Sequence, residues 1–219
     1  MKPQLFAHPF SAYCQKVLIA LYENDTPFEL RLLDQKTPEI VAEWSALWPL
    51  KRMPVLQEGD ETVLESTIII EYLALNRPGP VRLIPEDGKA ALKTRMLDRF
   101  FDNYVMTPMQ KVVFNQIRAE ADRDPTGVKE AKAMLDDAYA WLDGEIAKSE
   151  WAVGDQFSLA DCAAAPSLFY ADWVHPIPEA LANVRAYRAR LLARPSFARA
   201  VEEARPYRSY FPLGAPDRD

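Results

Sequence analysis

The stretch His8-Pro9-Phe10-Ser11-Ala12-Tyr13-Cys14-Gln15-Lys16-Val17 decides the reading of this chain. A short apolar run, Leu5-Phe6-Ala7, leads into it, and a helical pattern leaves it, with Cys14, Val17, Leu18 and Leu21 at i, i+3, i+4 and i+7. The implied geometry is strand, sharp turn, helix, with Ser11 at the N-cap. The first amides of a helix lack intrahelical partners, and the macrodipole points its positive end there. Two cysteines three apart at such a place read as a redox pair. Here the pattern is Ser11-x-x-Cys14, so two-thiol chemistry is unavailable, yet a hydroxyl at a helix N-terminus can hold an anion, including a thiolate brought in by another molecule. The plainer alternative is a capping serine, worth about 1 kcal/mol and nothing more.

Outward from this stretch, residues 4–7 read as a strand and 12–23 as a helix. Asn24-Asp25-Thr26-Pro27 signals a turn, and Phe28–Leu33 alternates as a second strand. Pro38 suits the first turn of a short helix over 38–45. Met53-Pro54-Val55-Leu56 begins a strand, Glu58-Gly59-Asp60-Glu61 turns, and Thr62-Val63-Leu64 continues. Ser66 opens a helix through Leu73. The order βαβ, then ββα, predicts a small mixed sheet with helices packed on it.

Two features of this unit have alternative readings. Pro54 is either an edge residue starting a strand or a cis proline. A cis bond would turn the Val55 amide and carbonyl outward at a sheet edge, where an extended peptide could pair with them. Ser66, as N-cap, has Ile69 three residues on, so no acid closes a capping box. The free amides and hydroxyl there suit a carboxylate, or else only water.

The domain boundaries expected are 1–78 for the mixed unit, 79–88 for a Pro/Gly linker and 89–219 for an all-helical unit. Residues 89–121 form one long pattern, bent near Thr107-Pro108. Residues 128–147 are amphipathic. Ser158-Leu159-Ala160-Asp161 is a capping box before an apolar helix over Cys162–Tyr170, which is expected to be central in the core. Two further helices are expected at about 178–193 and 196–203, and an irregular tail from Pro206.

Composition narrows the partners. The chain has 219 residues and a formal net charge of -6, which argues against nucleic acid as the main partner. No apolar stretch approaches the ~20 residues of a membrane span, and no signal-peptide pattern opens the chain. Cys14 and Cys162 give no disulfide framework. His8 and His175 stand apart from any metal-ligand cluster, so no metal is expected. A cytoplasmic protein follows as the default.

The motifs in order resemble those of the cytosolic glutathione S-transferases over nearly the whole length. They are Ser11 five residues before Lys16-Val17, then Met53-Pro54-Val55-Leu56, then Glu65-Ser66-x-x-Ile69-x-x-Tyr72-Leu73, then Gly154-Asp155-x-Phe157-Ser158-x-Ala160-Asp161. The resemblance implies an α/β plus all-α fold: a thioredoxin-like N-terminal domain (βαβαββα) and an all-helical C-terminal domain. It implies glutathione as co-substrate, a hydrophobic electrophile as partner, a detoxification role and a homodimer in which the first domain of one subunit faces the helical domain of the other. By position, Ser11 would hydrogen-bond the glutathione sulfur, as in the serine-type members. Phe6 and Ala7 stand where tyrosine-type members keep a phenol. Pro54 would be the cis-proline, and Val55 the backbone partner of the cysteinyl residue. Glu65 and Ser66 would hold the γ-glutamyl end, and Lys51 the glycyl carboxylate. Phe10 would border both substrates, with Tyr104 and Phe114 in the second-substrate pocket from helix phase. Asp161 would be a folding cap.

The chain departs from the isomerase-like members, which carry Ser-Ser-Cys where it has Ser11-Ala12-Tyr13. Glutathione-dependent isomerase, lyase and peroxidase activities, and a non-catalytic scaffold of the same fold, are the alternatives. Against a scaffold stands the joint presence of Ser11, Pro54, Glu65 and Ser66.

Overall fold

The computed structural model describes residues 2–219. Four short strands, β1 (Gln4–Ala7), β2 (Glu29–Leu32), β3 (Val55–Glu58) and β4 (Glu61–Leu64), form one sheet in the order β2-β1-β3-β4. β1 runs parallel to β2 with Gln4 opposite Glu29, and antiparallel to β3 with Phe6 opposite Val55. β3 and β4 make a hairpin in which Val55 pairs with Leu64, and Gly59 at its tip takes φ 61, a conformation that suits a residue without Cβ.

The two inner strands carry their apolar residues where they are buried, Leu5-Phe6-Ala7 in β1 and Val55-Leu56 in β3, because both faces are covered there. Alternation sends Leu5, Ala7 and Leu56 to the face under α1 (Ala12–Glu23) and α3 (Ser66–Asn76), while Phe6 and Val55 meet Leu33 and Trp44 beside α2 (Pro38–Leu47). The expected element order βαβαββα is therefore present, and the expected boundaries differ from it by a few residues at most.

The rest is helical: α4 (Gly88–Phe100), α5 (Thr107–Ile117), α6 (Pro125–Glu145), α7 (Leu159–Val174), α8 (Ala182–Ala193) and α9 (Pro195–Ala204). The α7 helix is buried along almost its whole length and packs against α1, so the core under the sheet continues without a break into the helical region. The linker segment before α4 is tied down as well, since Asn24 bonds both the amide and the carbonyl of Val81 and Leu83 accepts from the Leu159 amide.

The bend expected near Thr107-Pro108 is a π-helical stretch, Phe101–Met106. Pro108 has no N–H and its ring would strike the carbonyl four residues back. The preceding turn widens: the Thr107 amide bonds the Asp102 carbonyl, and its hydroxyl donates to the same oxygen at 3.0 Å. The capping box before α7 forms, and Asp161 does more than cap. Its carboxylate accepts from the Ser158 amide and the Ala152 amide at 2.8 Å, the Ser158 hydroxyl at 3.0 Å and the Tyr187 hydroxyl at 2.6 Å. Burial pushes this carboxyl up, and the four donors pull against that.

Candidate active site

A cavity of about 760 Å³ lies between the two regions, a size suited to a small ligand. Its floor is the start of α1. The chain leaves β1, turns at His8–Ser11 with the Ser11 amide on the His8 carbonyl at 2.9 Å, and enters the helix with Ser11 at the N-cap in an extended conformation (φ -84, ψ 124). The Ser11 hydroxyl makes no capping bond, although capping is the commonest use of a serine at that place. No acidic residue occupies the first turn of α1, so the helix end keeps its positive potential.

Cys14, one turn on, is fully buried, and burial pushes its thiol up to about 11 against the opposing pull of the Ser11 side chain and a backbone bond at His8. It is protonated at neutral pH and is no nucleophile. His8 also has its partner: Nδ1 accepts from the Phe10 amide at 3.1 Å, and the ring meets Tyr207 edge-on at 4.5 Å.

The second wall carries Lys51, Arg52, Met53, Pro54, Glu65 and Ser66. The Met53–Pro54 bond is cis. Two non-glycine residues here hold positive φ, Lys51 at 52 and Glu65 at 69, a conformation that costs about 1–3 kcal/mol unless the surroundings enforce it. Glu65, rather than Ser66, is the N-cap of α3, its carbonyl accepting from the Ile69 amide at 2.8 Å; Ser66 is the first helical residue and is buried.

Two expected assignments change. Val55 is fully buried and its strand is paired on both sides, with Phe6 opposite on one and Leu64 on the other, so its peptide groups do not front the cavity. Met53, on the other side of the cis bond and ahead of the strand, does line it. Tyr104 lies in a separate groove with Met96, Phe100, Met134 and Trp141, while Phe114 lines the main cavity with Phe10. The helix phase that places Tyr104 and Phe114 together assumes continuous α-helix. The π turn inserts about one residue between them, a rotation of roughly 100°.

Three groups on the cavity are not evident from the sequence. The first is an ionic cluster. Lys16, on α1, is 1% exposed and holds Asp98 at 2.5 Å and Asp102 at 2.9 Å, with Thr67 at 2.9 Å. Arg99 closes it from the solvent side, 2.7 Å from Asp98 and 2.6 Å from Asp102. Two carboxylates four residues apart repel on an isolated helix, and a buried lysine alone would be strongly destabilising; together they satisfy one another. One oxygen of Asp102, Oδ1, is buried without a partner among the described residues, and both Asp102 and Arg99 line the cavity with Ser66. Burial, above all, raises the Asp102 carboxyl, with Lys16 drawing it down and Asp98 adding to the rise.

The second is the tail, whose Tyr210, Phe211 and Pro212 line the cavity together with Met109, Val113 and Phe114. The third is Tyr13, whose hydroxyl burial and Asp102 push up to about 12, so it stays protonated.

A thioredoxin-like sheet with a cis-proline beside a helix N-terminus, joined to a helical region across one cavity, is the two-part architecture of the glutathione transferase fold. The matches to known proteins agree. The glutathione S-transferase N-terminal domain model matches residues 5–81 and the corresponding C-terminal domain model residues 118–190. Glutathione S-transferase hmp2 of Hypomyces subiculosus is 28% identical over 199 residues, 87% of this chain and 94% of that protein. Glutathione S-transferase-like protein LUC7 of Fusarium sp is 32% identical over 147 residues, 67% of this chain and 64% of that protein's length. The solved structure of a glutathione S-transferase from Methylobacterium radiotolerans, in complex with glutathione sulfonate, is 30% identical with a TM-score of 0.78, covering 92% of this chain and 95% of that one. This chain belongs to the cytosolic glutathione S-transferase family.

Proposed function

We propose that the protein is a serine-type glutathione transferase that activates glutathione as a thiolate for attack on a hydrophobic electrophile. The observation that carries this is that one cavity is lined both by Ser11, Pro54, Glu65, Ser66 and Lys51 and by the apolar Phe10, Phe114 and Phe211. The γ-glutamyl end of the ligand fits the α3 N-terminus, its carboxylate on the free amides and the Ser66 hydroxyl, its ammonium near Glu65 and on the side of the cavity that Asp102 lines. The glycyl carboxylate fits Lys51.

The sulfur then lies toward Ser11. A free thiol titrates near 8.5, so a few per cent is ionised at neutral pH. A hydroxyl donating to the ionised sulfur, with the α1 dipole behind it, favours the thiolate. The thiolate forms a carbon–sulfur bond, and the leaving group departs with its electron pair; Ser11 keeps its own proton throughout. The apolar wall holds the electrophile and excludes water.

The test is retention on immobilised glutathione, followed by turnover of an activated aryl halide with glutathione. Elution by free glutathione together with saturable turnover is expected. A protein that neither binds glutathione nor turns over would be a scaffold of this fold.

The same reading includes a homodimer. Met96, Tyr104, Met134 and Trp141 are exposed apolar side chains on α4, the π turn and α6 that line a second groove of about 610 Å³. Sedimentation at micromolar concentration should show about twice the 24.9 kDa chain mass; the chain mass alone refutes it.

A further inference from the structure

We propose that Tyr170 and Gln15 form a clamp that fixes the His8–Ser11 turn and so sets where the Ser11 hydroxyl meets the glutathione sulfur, an inference that rests on the reading of Ser11 above. The backbone groups of the turn need partners. The Ser11 amide goes to the His8 carbonyl at 2.9 Å, and the Phe10 amide to the His8 ring at 3.1 Å. The Ser11 carbonyl accepts from the Gln15 amide at 2.9 Å, and the carbonyls of Pro9 and Phe10 belong to no helix or strand.

Gln15 Nε2 donates to the Pro9 carbonyl at 2.9 Å and to the Tyr170 hydroxyl at 3.1 Å. Tyr170 in turn donates to the Phe10 carbonyl at 3.1 Å, and its ring stands edge-on to Phe10 at 5.5 Å. The two side chains thus take both free carbonyls, one from within α1 and the other from α7 in the helical region.

The cost of this arrangement shows that apolar packing does not explain it. Gln15 is fully buried, and its Oε1 has no partner among the described residues. A leucine or methionine there would fill the space without an orphaned acceptor. What it could not supply is the donor that the Pro9 carbonyl and the Tyr170 oxygen require. Tyr170 is also buried, which holds its hydroxyl protonated and able to donate. The carbonyl of Phe10 belongs to the peptide whose nitrogen is that of Ser11, so a bond to it restrains the orientation of the Ser11 backbone and of the Cα–Cβ bond that carries the hydroxyl. Tyr170 and Gln15 are positioning residues in this scheme. They hold the donor still and do not themselves donate to sulfur.

The experiment follows the ultraviolet absorbance of bound glutathione thiolate against pH in the wild-type protein, Ser11→Ala, Tyr170→Phe and the double variant, with glutathione affinity and thermal stability measured on each. Tyr170→Phe removes one oxygen and keeps the ring. It should raise the bound-thiol pKa by about half to one unit and lower kcat about three- to tenfold. Glutathione affinity should stay within about twofold, because the γ-glutamyl and glycyl contacts are elsewhere. In the Ser11→Ala background the same change should produce no further shift, since a clamp acting through Ser11 has nothing left to position. A pKa moved by Ser11→Ala and untouched by Tyr170→Phe overturns the clamp and leaves the Ser11 reading standing. A shift of equal size in both backgrounds also overturns it, because Tyr170 would then act on the sulfur directly. If neither variant moves the pKa, the Ser11 reading and the clamp fall together. Should Tyr170→Phe fail to fold, Gln15→Met removes the other half of the clamp and is read by the same shift.

Discussion

Ser11 and Ser158 stand at the same kind of place and do different things. Each is the N-cap of a helix in extended backbone, at the starts of α1 and α7. The Ser158 hydroxyl is buried and bonded to Asp161, inside a box that also ties down the Ala152 amide and Tyr187. The Ser11 hydroxyl makes no capping bond and lies on a cavity. The difference comes from the third residue of each helix. In α7 it is Asp161, which reaches back and brings an anion of the protein's own to the helix end. In α1 it is Cys14, buried and neutral, so the positive end of the helix stays open to a ligand's charge. A helix N-terminus already supplied with a carboxylate stabilises the fold; one left unsupplied can bind.

The largest effect that separates the two ends is expected at Asp161. Asp161→Ala leaves the Ala152 amide, the Ser158 amide and the Tyr187 hydroxyl buried without an acceptor, so it should lower stability by about 3–5 kcal/mol, more than the ~1 kcal/mol of a simple cap. Denaturant unfolding measures it. In the fraction that folds, turnover should be near normal; collapse of turnover at unchanged stability would move Asp161 into the active site and dissolve the contrast.

Ser11→Ala is the mirror case. It should cut turnover about ten- to a thousandfold, shift the pH–rate curve toward the free thiol and leave stability within about 1 kcal/mol, since no cap bond is lost. Ser158→Ala should do the reverse, with lower stability and ordinary turnover. Wild-type rate and pH profile in Ser11→Ala would mean that Tyr13 or the α1 amides hold the thiolate.

Ser66, at the first position of α3, tests whether an open helix end serves binding as well as chemistry. Ser66→Ala should weaken glutathione about ten- to a hundredfold through loss of a charge-assisted bond. Glu65→Gln should weaken it less, because Asp102 offers a second anion. Calorimetric titration of both variants gives the answer, and unchanged affinity in each removes the γ-glutamyl end from this site.

The smallest effect concerns His8, which braces the turn as an acceptor. Burial lowers its pKa below the ordinary 6.5, with Asp34 opposing. The fold therefore prefers the neutral ring. Its contribution is complete above pH 6.5 and is lost as pH falls, because the unfolded chain then takes up the proton more readily. Thermal unfolding of the wild type against His8→Asn between pH 5 and 8 should show a slope in the former that is reduced in the latter. Parallel slopes would clear His8 of any part in it.

What could be read from the sequence alone is what local chemistry specifies. The strand–turn–helix at Ser11, the hairpin at Gly59, the β3 start at Pro54, the Glu65-Ser66 entry into α3 and the Ser158–Asp161 box all depend on residues within a few positions of one another. Turn, cap and periodicity rules act over that range, and the motifs in their order carried the family. The tertiary structure decided the rest. It put Lys16 beside Asp98 and Asp102, Tyr170 over the Phe10 carbonyl, and the tail residues Tyr210–Pro212 on the cavity wall, each across 80 or more residues of chain. It also separated Tyr104 from Phe114 and took Val55 off the cavity, because a widened turn resets helix phase and a strand paired on both sides has no free edge. Such placements follow from how packed elements meet. A lone lysine, tyrosine or glutamine in an apolar helix pattern carries no mark of the partner that only folding brings to it.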